Sequence, residues 1–228
     1  MKPKQLKAPF RWDERRPHLA DRVLFVPHHY FEHSSFVLPK FEEPELFGRK
    51  APIYIEYCSG NGDWVVEKAV QFPEYNWIAV EKRFDRVRKI WSKLKNQNVP
   101  NLLVVSGEAL PFTEHYLKGE SIAGCFINFP DPWPKGKHAK HRLFQSSFIQ
   151  QLGRVLERGA KLTVATDDEI WADRISTAFL NEKNFQAAFP HPYFVTDWPD
   201  YGFSYFGQLW RDKGKTIHYL QFVNGQES

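Results

Sequence analysis

A chain of 228 residues that is 42% hydrophobic and 16% aromatic can bury a sizeable core and is too apolar for a disordered protein. Its net charge is only +4, so any surface for an acidic partner must be a local one. The two cysteines, Cys58 and Cys125, lie in or beside apolar runs without metal-ligand spacing, which predicts free thiols in a reducing compartment and no bound metal.

Residues 1–49 are rich in Pro, His, Phe and charge and show only one short apolar run, Val23 to Val26. They read as an N-terminal extension to a domain spanning 50–228. The first residues lack the apolar core of a signal peptide, and no later run is long enough to span a membrane, so a soluble cytoplasmic protein is expected. From Pro52 the pattern alternates. Strands are predicted at Pro52 to Tyr57, Asn76 to Glu81, Asn101 to Ser106, Ser121 to Asn128 and Lys161 to Thr166. Helices are predicted over Asp63 to Phe72, Lys82 to Lys95, Leu143 to Leu156 (stopped near Gly159) and Asp168 to Leu180. A late strand, Thr216 to Val223, is expected to run antiparallel. Short apolar strands alternating with helices imply an α/β, doubly wound, mostly parallel sheet.

Ligands of such sheets bind beyond the carboxyl ends of the strands. Acids stand at five of those ends: Glu56, Glu81, Glu108, Asp131 and the Asp167-Asp168 pair. Between the first strand and first helix, Gly60-Asn61-Gly62 makes a turn whose glycines let a ligand come close to the backbone. The dinucleotide spacing GxGxxG is missing, because Val65 stands at its last position. Glu81 follows at the end of the second strand, where an acid can grip both ribose hydroxyls. Glu56 would repel a pyrophosphate but suits an amino group. A ribose joined to an amino acid describes S-adenosyl-L-methionine.

The run Phe129-Pro130-Asp131-Pro132-Trp133-Pro134-Lys135 carries the most information. Proline has a fixed φ and biases the residue before it toward extended geometry, so Asp131 is expected in a stiff turn where a core strand reaches the surface. Lys135, Lys137, Lys140 and Arg142 follow at once, a basic run suited to phosphates. Trp133, Trp171, Phe203, Phe206 and Trp210 read as packing rather than stacking surfaces.

With these pieces the chain resembles the bacterial tRNA (guanine-N7-)-methyltransferase family over roughly residues 50–223. The resemblance rests on the Glu-led glycine loop, Glu81, the Phe-Pro-Asp-Pro-Trp element with Lys135 and His138, Thr166-Asp167, and a register that continues through Phe206 to Phe222. It implies a class I S-adenosylmethionine-dependent, Rossmann-like fold with a seven-stranded sheet. It also implies methyl transfer to N7 of a tRNA guanosine, by a monomer or homodimer. Glu56, Gly60, Gly62, Glu81, Glu108 and Asp131 would bind the cofactor, with Asp131 also catalytic. Lys135, Asp167, Ser204 and Gly207 would contact tRNA.

The chain departs from the family pattern at Cys58 (the loop's first glycine), at Ser204 (a threonine), at Gly207 (a glutamate) and at Leu209 (often basic). Cys58 and Gly207 motivate an alternative, a tRNA-binding homologue with weakened or lost catalysis. A methyltransferase for small molecules or proteins is disfavoured by the basic run, and a nicotinamide dehydrogenase by the missing pyrophosphate loop.

Overall fold

The computed structural model describes residues 1–10, 15–27, 32–131, 143–196, 198, 199 and 201–225. They form two compact units, 1–117 and 118–228.

The first unit starts with a hairpin of β1 (His18–Ala20) and β2 (Val23–Phe25). Its two turn residues, Asp21 and Arg22, have φ of 50° and 67°. Two positive φ values match the right-handed twist of a two-residue hairpin, at a steric cost for a non-glycine residue. Tertiary contacts hold the turn: Asp21 accepts from Trp91 Nε1 at 2.9 Å and pairs with Lys95, while Arg22 donates to the Pro100 carbonyl. β3 (Ile53–Tyr57), α1 (Asp63–Gln71), β4 (Asn76–Glu81), α2 (Phe84–Gln97), β5 (Leu102–Ser106) and α3 (Ala109–Tyr116) follow.

The strand order is β1-β2-β5-β4-β3, with β2, β5, β4 and β3 mutually parallel. β4 is buried at all six positions, as a parallel strand covered on both faces should be. Val87, Ile90, Trp91 and Leu94 form the buried face of α2, the face its periodicity predicts. Asn101 clamps the α1–β4 connection, donating to the carbonyls of Ala69 at 2.8 Å and Tyr75 at 3.0 Å.

The second unit contains β6 (Ile122–Asn128), α4 (Ser146–Val155), β7 (Leu156–Thr166), α5 (Glu169–Leu180), β8 (Phe185–Ala187), β9 (Phe194–Val195), α6 (Tyr205–Asp212) and β10 (His218–Asn224). β6 runs parallel to β7, and β10 antiparallel to β7, β8 and β9. Phe179 centres the core, stacked on Phe222 at 4.4 Å and edge-on to Phe144 at 5.5 Å and Phe185 at 5.0 Å. Each such pair adds about 0.5–1.5 kcal/mol beyond area burial.

The α/β class, the parallel strands and the antiparallel late strand match expectation. The strand count does not: the described residues hold ten strands rather than seven. Six of the ten match the strands read individually from the sequence; the other four, β1, β2, β8 and β9, have two or three residues, too short to carry a period. The helix expected to run to Leu156 ends at Val155, and β7 begins at Leu156, well before Lys161. Its early residues Glu157, Arg158 and Gly159 are exposed, so the apolar pattern of a buried strand is missing there. Among the described residues, no helix is long and apolar enough to cross a membrane.

Candidate active site

In the first unit, strand ends and one loop gather the acids. Glu56 is the penultimate residue of β3 and only 1% exposed. The chain then turns sharply. Cys58 adopts φ +59°, Ser59 Oγ donates to the Glu56 carbonyl at 2.9 Å, and Gly62 precedes α1 at φ +76°. A Cβ on Gly62 would also lie 2.7 Å from Ile90 Cγ1, so both backbone and space require glycine there.

Glu81, 4% exposed at the end of β4, ties this loop down. Its Oε2 accepts from the Gly60 N–H at 2.9 Å and its Oε1 from the Arg83 N–H at 2.8 Å, with the Arg86 guanidinium at 3.8 Å. Burial raises the Glu81 pKa above the usual carboxylate value, and the Arg83 hydrogen bond and the Arg86 charge oppose the rise. The two glycine-loop positions and Glu81 are thus brought together.

Glu108 stands half-buried at the start of α3. It lines a cavity of about 530 Å³ with Phe10, Phe25, Lys82, Arg83 and Phe84, a size and an aromatic lining that suit a small-molecule ring.

Cys58 offers a direct test of the loop. A left-handed conformation costs a side chain roughly 1–2 kcal/mol, against roughly 0.5–1 kcal/mol for glycine's extra unfolded-state freedom. Cys58→Gly is therefore expected to raise the unfolding free energy by about 0.5–1 kcal/mol. Urea denaturation would read this, and a loss of stability would show that the thiol's contacts outweigh the strain.

In the second unit β6 delivers Asp131. Phe129 donates its N–H to the Ala165 carbonyl at 2.8 Å yet has φ +52°. A bulky residue at positive φ directly before proline is doubly disfavoured, at a cost on the order of 1–3 kcal/mol. Asp131 emerges exposed two residues later. The strained turn is held from below: Asn128, 5% exposed, accepts from the Tyr201 hydroxyl at 2.6 Å. The Tyr201 ring lies 4.8 Å from Tyr219, whose hydroxyl accepts from Arg211 Nη2 at 2.6 Å.

Asp167 follows β7 and is half-buried, and that burial raises its pKa, opposed in part by the Lys215 and His218 charges. The helix cap beside it is Asp168, which accepts from the Trp171 N–H at 2.9 Å. Asp167 is therefore not the capping residue of α5.

Ser204 caps α6, accepting from the Gly207 N–H at 2.9 Å, so these two predicted substrate residues are joined to each other. Gly207 is buried, and Phe203 is 50% exposed. Lys135 and the rest of the basic run to Arg142 lie outside the described residues. Sequence reasoning missed the Asn128–Tyr201–Tyr219–Arg211 chain. The only signal for it was a polar Asn128 closing an apolar strand.

Neither Cys58 nor Cys125 is in a disulfide; Cys125 is buried and Cys58 half-buried. Among the described residues, no three His, Cys, Asp or Glu side chains are grouped so as to hold a metal ion.

The family model described as "Putative methyltransferase" matches residues 50–220. The solved structure of 16S rRNA methyltransferase KamB is similar in fold, with a TM-score of 0.62 at 16% identity, covering 84% of this chain and 96% of that one. The fold is thus of the class I methyltransferase type.

Two curated relatives, from Chlamydia caviae and Chlamydia abortus, are 49% and 48% identical and are both named tRNA (guanine-N(7)-)-methyltransferase. Each alignment covers 98% of this chain and 98% of the relative. The chain belongs to the tRNA (guanine-N(7)-)-methyltransferase family.

Proposed function

We propose that this protein transfers a methyl group from S-adenosyl-L-methionine to N7 of a tRNA guanosine in the cytoplasm, the target being position 46 of the variable loop. The observation that carries the catalytic reading is the strained Phe129 turn. Strain of that size persists where the surroundings hold it, and it clusters where a side chain must be presented in one orientation.

The cofactor supplies an activated methyl on a sulfonium. The chain's own residues fit the rest of that molecule. Glu81 is already organised by two backbone N–H groups and can accept from ribose hydroxyls. Glu56 suits the methionine ammonium. Glu108 and the aromatic wall of its cavity suit the adenine ring. Gly60 and Gly62 leave room beside the loop backbone.

Guanine N7 has a free lone pair and no proton to lose, so no general base is required. Orientation then does most of the work, and alignment of this kind can supply roughly 7–11 kcal/mol of a barrier. Asp131 would accept hydrogen bonds from guanine donors and offset the positive charge that methylation places on the purine. Asp167, Ser204, Lys135 and the backbone at Gly207 would hold the tRNA.

Incubation with labelled S-adenosyl-L-methionine and unmodified tRNA, followed by nucleoside analysis and mapping of the site, tests this. N7-methylguanosine at position 46 is expected. Cofactor binding without any N7-methylguanosine would overturn the catalytic reading, and a mark elsewhere in tRNA would overturn the position.

A further inference from the structure

We propose that Arg211 is a phosphate anchor for the tRNA beside the Asp131 turn, a positioning role that Gly207 makes room for. The inference rests on the tRNA reading above.

Residue 207 occupies the first turn of α6, buried, with no side chain. The point where its Cβ would stand lies 3.4 Å from Arg211 Nη1 and 3.4 Å from Phe129 Cζ. Guanidinium and strained ring are thus neighbours across a single missing methyl. Arg211 lies one helical turn on and is exposed. One of its N–H groups is committed to the hydroxyl of Tyr219, a side chain only 2% exposed, so the guanidinium is oriented by the core rather than loose in solvent. The neighbouring carboxylate, Asp212, accepts from Gln208 Nε2 at 2.6 Å.

An exposed arginine whose guanidinium is oriented from behind by a core hydroxyl is preorganised for a phosphate. Exposed Phe203 and Tyr205 flank the Ser204 cap, so the same surface offers rings to a base. Guanine N7 must stay open for the methyl. A cation here is therefore useful on the nucleic-acid backbone, where it fixes register without reading sequence.

The same geometry assigns a sign to the effect of an acid at position 207. A glutamate there would stand four residues before Arg211, the favourable spacing for an ion pair on a helix. It would neutralise the anchor. Its Cβ would also stand 2.8 Å from Ser204 Oγ, so Gly207→Ala serves as the steric control.

Methylation kinetics and tRNA binding across a salt series decide the matter. For Arg211→Gln we expect about a tenfold higher KM for tRNA near physiological salt, with cofactor affinity within about twofold of the parent. The slope of log K against log salt should lose about 0.7–0.9, the value of one phosphate contact. Arg211→Lys should keep most of the slope. Gly207→Glu should weaken tRNA binding more than Gly207→Ala does. An unchanged slope in Arg211→Gln, or a gain in turnover in Gly207→Glu, overturns the assignment. If Arg211→Gln also loses cofactor binding, it has misfolded, and Gly207→Glu, which leaves the arginine in place, decides alone. A parent protein that neither binds nor methylates tRNA would instead refute the functional reading itself, and with it this one.

Discussion

Asp131→Asn should lower kcat for tRNA methylation roughly 100- to 1,000-fold, the usual loss when one preorganised group facing transition-state charge is removed. The substitution keeps the size and the turn but removes the carboxylate. Asparagine cannot offset the positive charge that forms on the purine, and its amide presents donors where acceptors are needed. Asp131 is exposed and bears no load in the core, so thermal stability should change by less than about 0.5 kcal/mol. Single-turnover rates at saturating cofactor and tRNA separate this from a binding defect. A fall of less than about fivefold in that rate would remove Asp131 from the chemistry.

Glu81→Gln should raise the dissociation constant for S-adenosyl-L-methionine by about 10- to 100-fold, because hydrogen bonds to a charged group contribute about 1.5–3 kcal/mol. It should also destabilise the protein without ligand. Both carboxylate oxygens accept backbone N–H groups, from Gly60 and Arg83, and an amide would turn its NH₂ toward one of them. A buried donor left facing a donor costs about 1–3 kcal/mol.

The pH dependence follows from the raised Glu81 pKa. A carboxyl whose folded pKa lies above its unfolded value holds its proton more tightly when folded. The stability this proton contributes is complete below the unfolded pKa and is lost as pH rises through the folded one. Cofactor affinity runs the other way, because ribose hydroxyls donate best to the ionised acid. Affinity should begin to fall, as pH is lowered, earlier than an ordinary glutamate would dictate. Calorimetric titrations at several pH values would show this slope in the parent and its absence in Glu81→Gln. A parallel slope in both proteins would assign the proton elsewhere.

Much of this was legible before any fold was seen. Acids at strand ends, a glycine turn and a proline-locked aspartate are local features, and each states its chemistry through composition and spacing. Long buried strands such as β4 announce themselves as apolar runs because both faces are covered. Strands of two or three residues do not, since they exist only through pairing with a neighbour. Helix α6 was equally silent, because it has only eight residues and carries a glycine, a poor helix former, in its first turn. Asp167 and Asp168 were interchangeable as caps by residue type, and only the hydrogen bond to Trp171 separates them.

What the sequence by itself determined is therefore the class of sheet and the placing of acids and glycines at its strand ends. Those follow from residue type and from spacings of a few residues. What only the tertiary structure decided is orientation. The positive φ of Cys58 and Phe129 and the pull of Tyr201 on Asn128 depend on contacts tens of residues apart. No local preference favours them, and two oppose it. They exist because the packed core over-determines them.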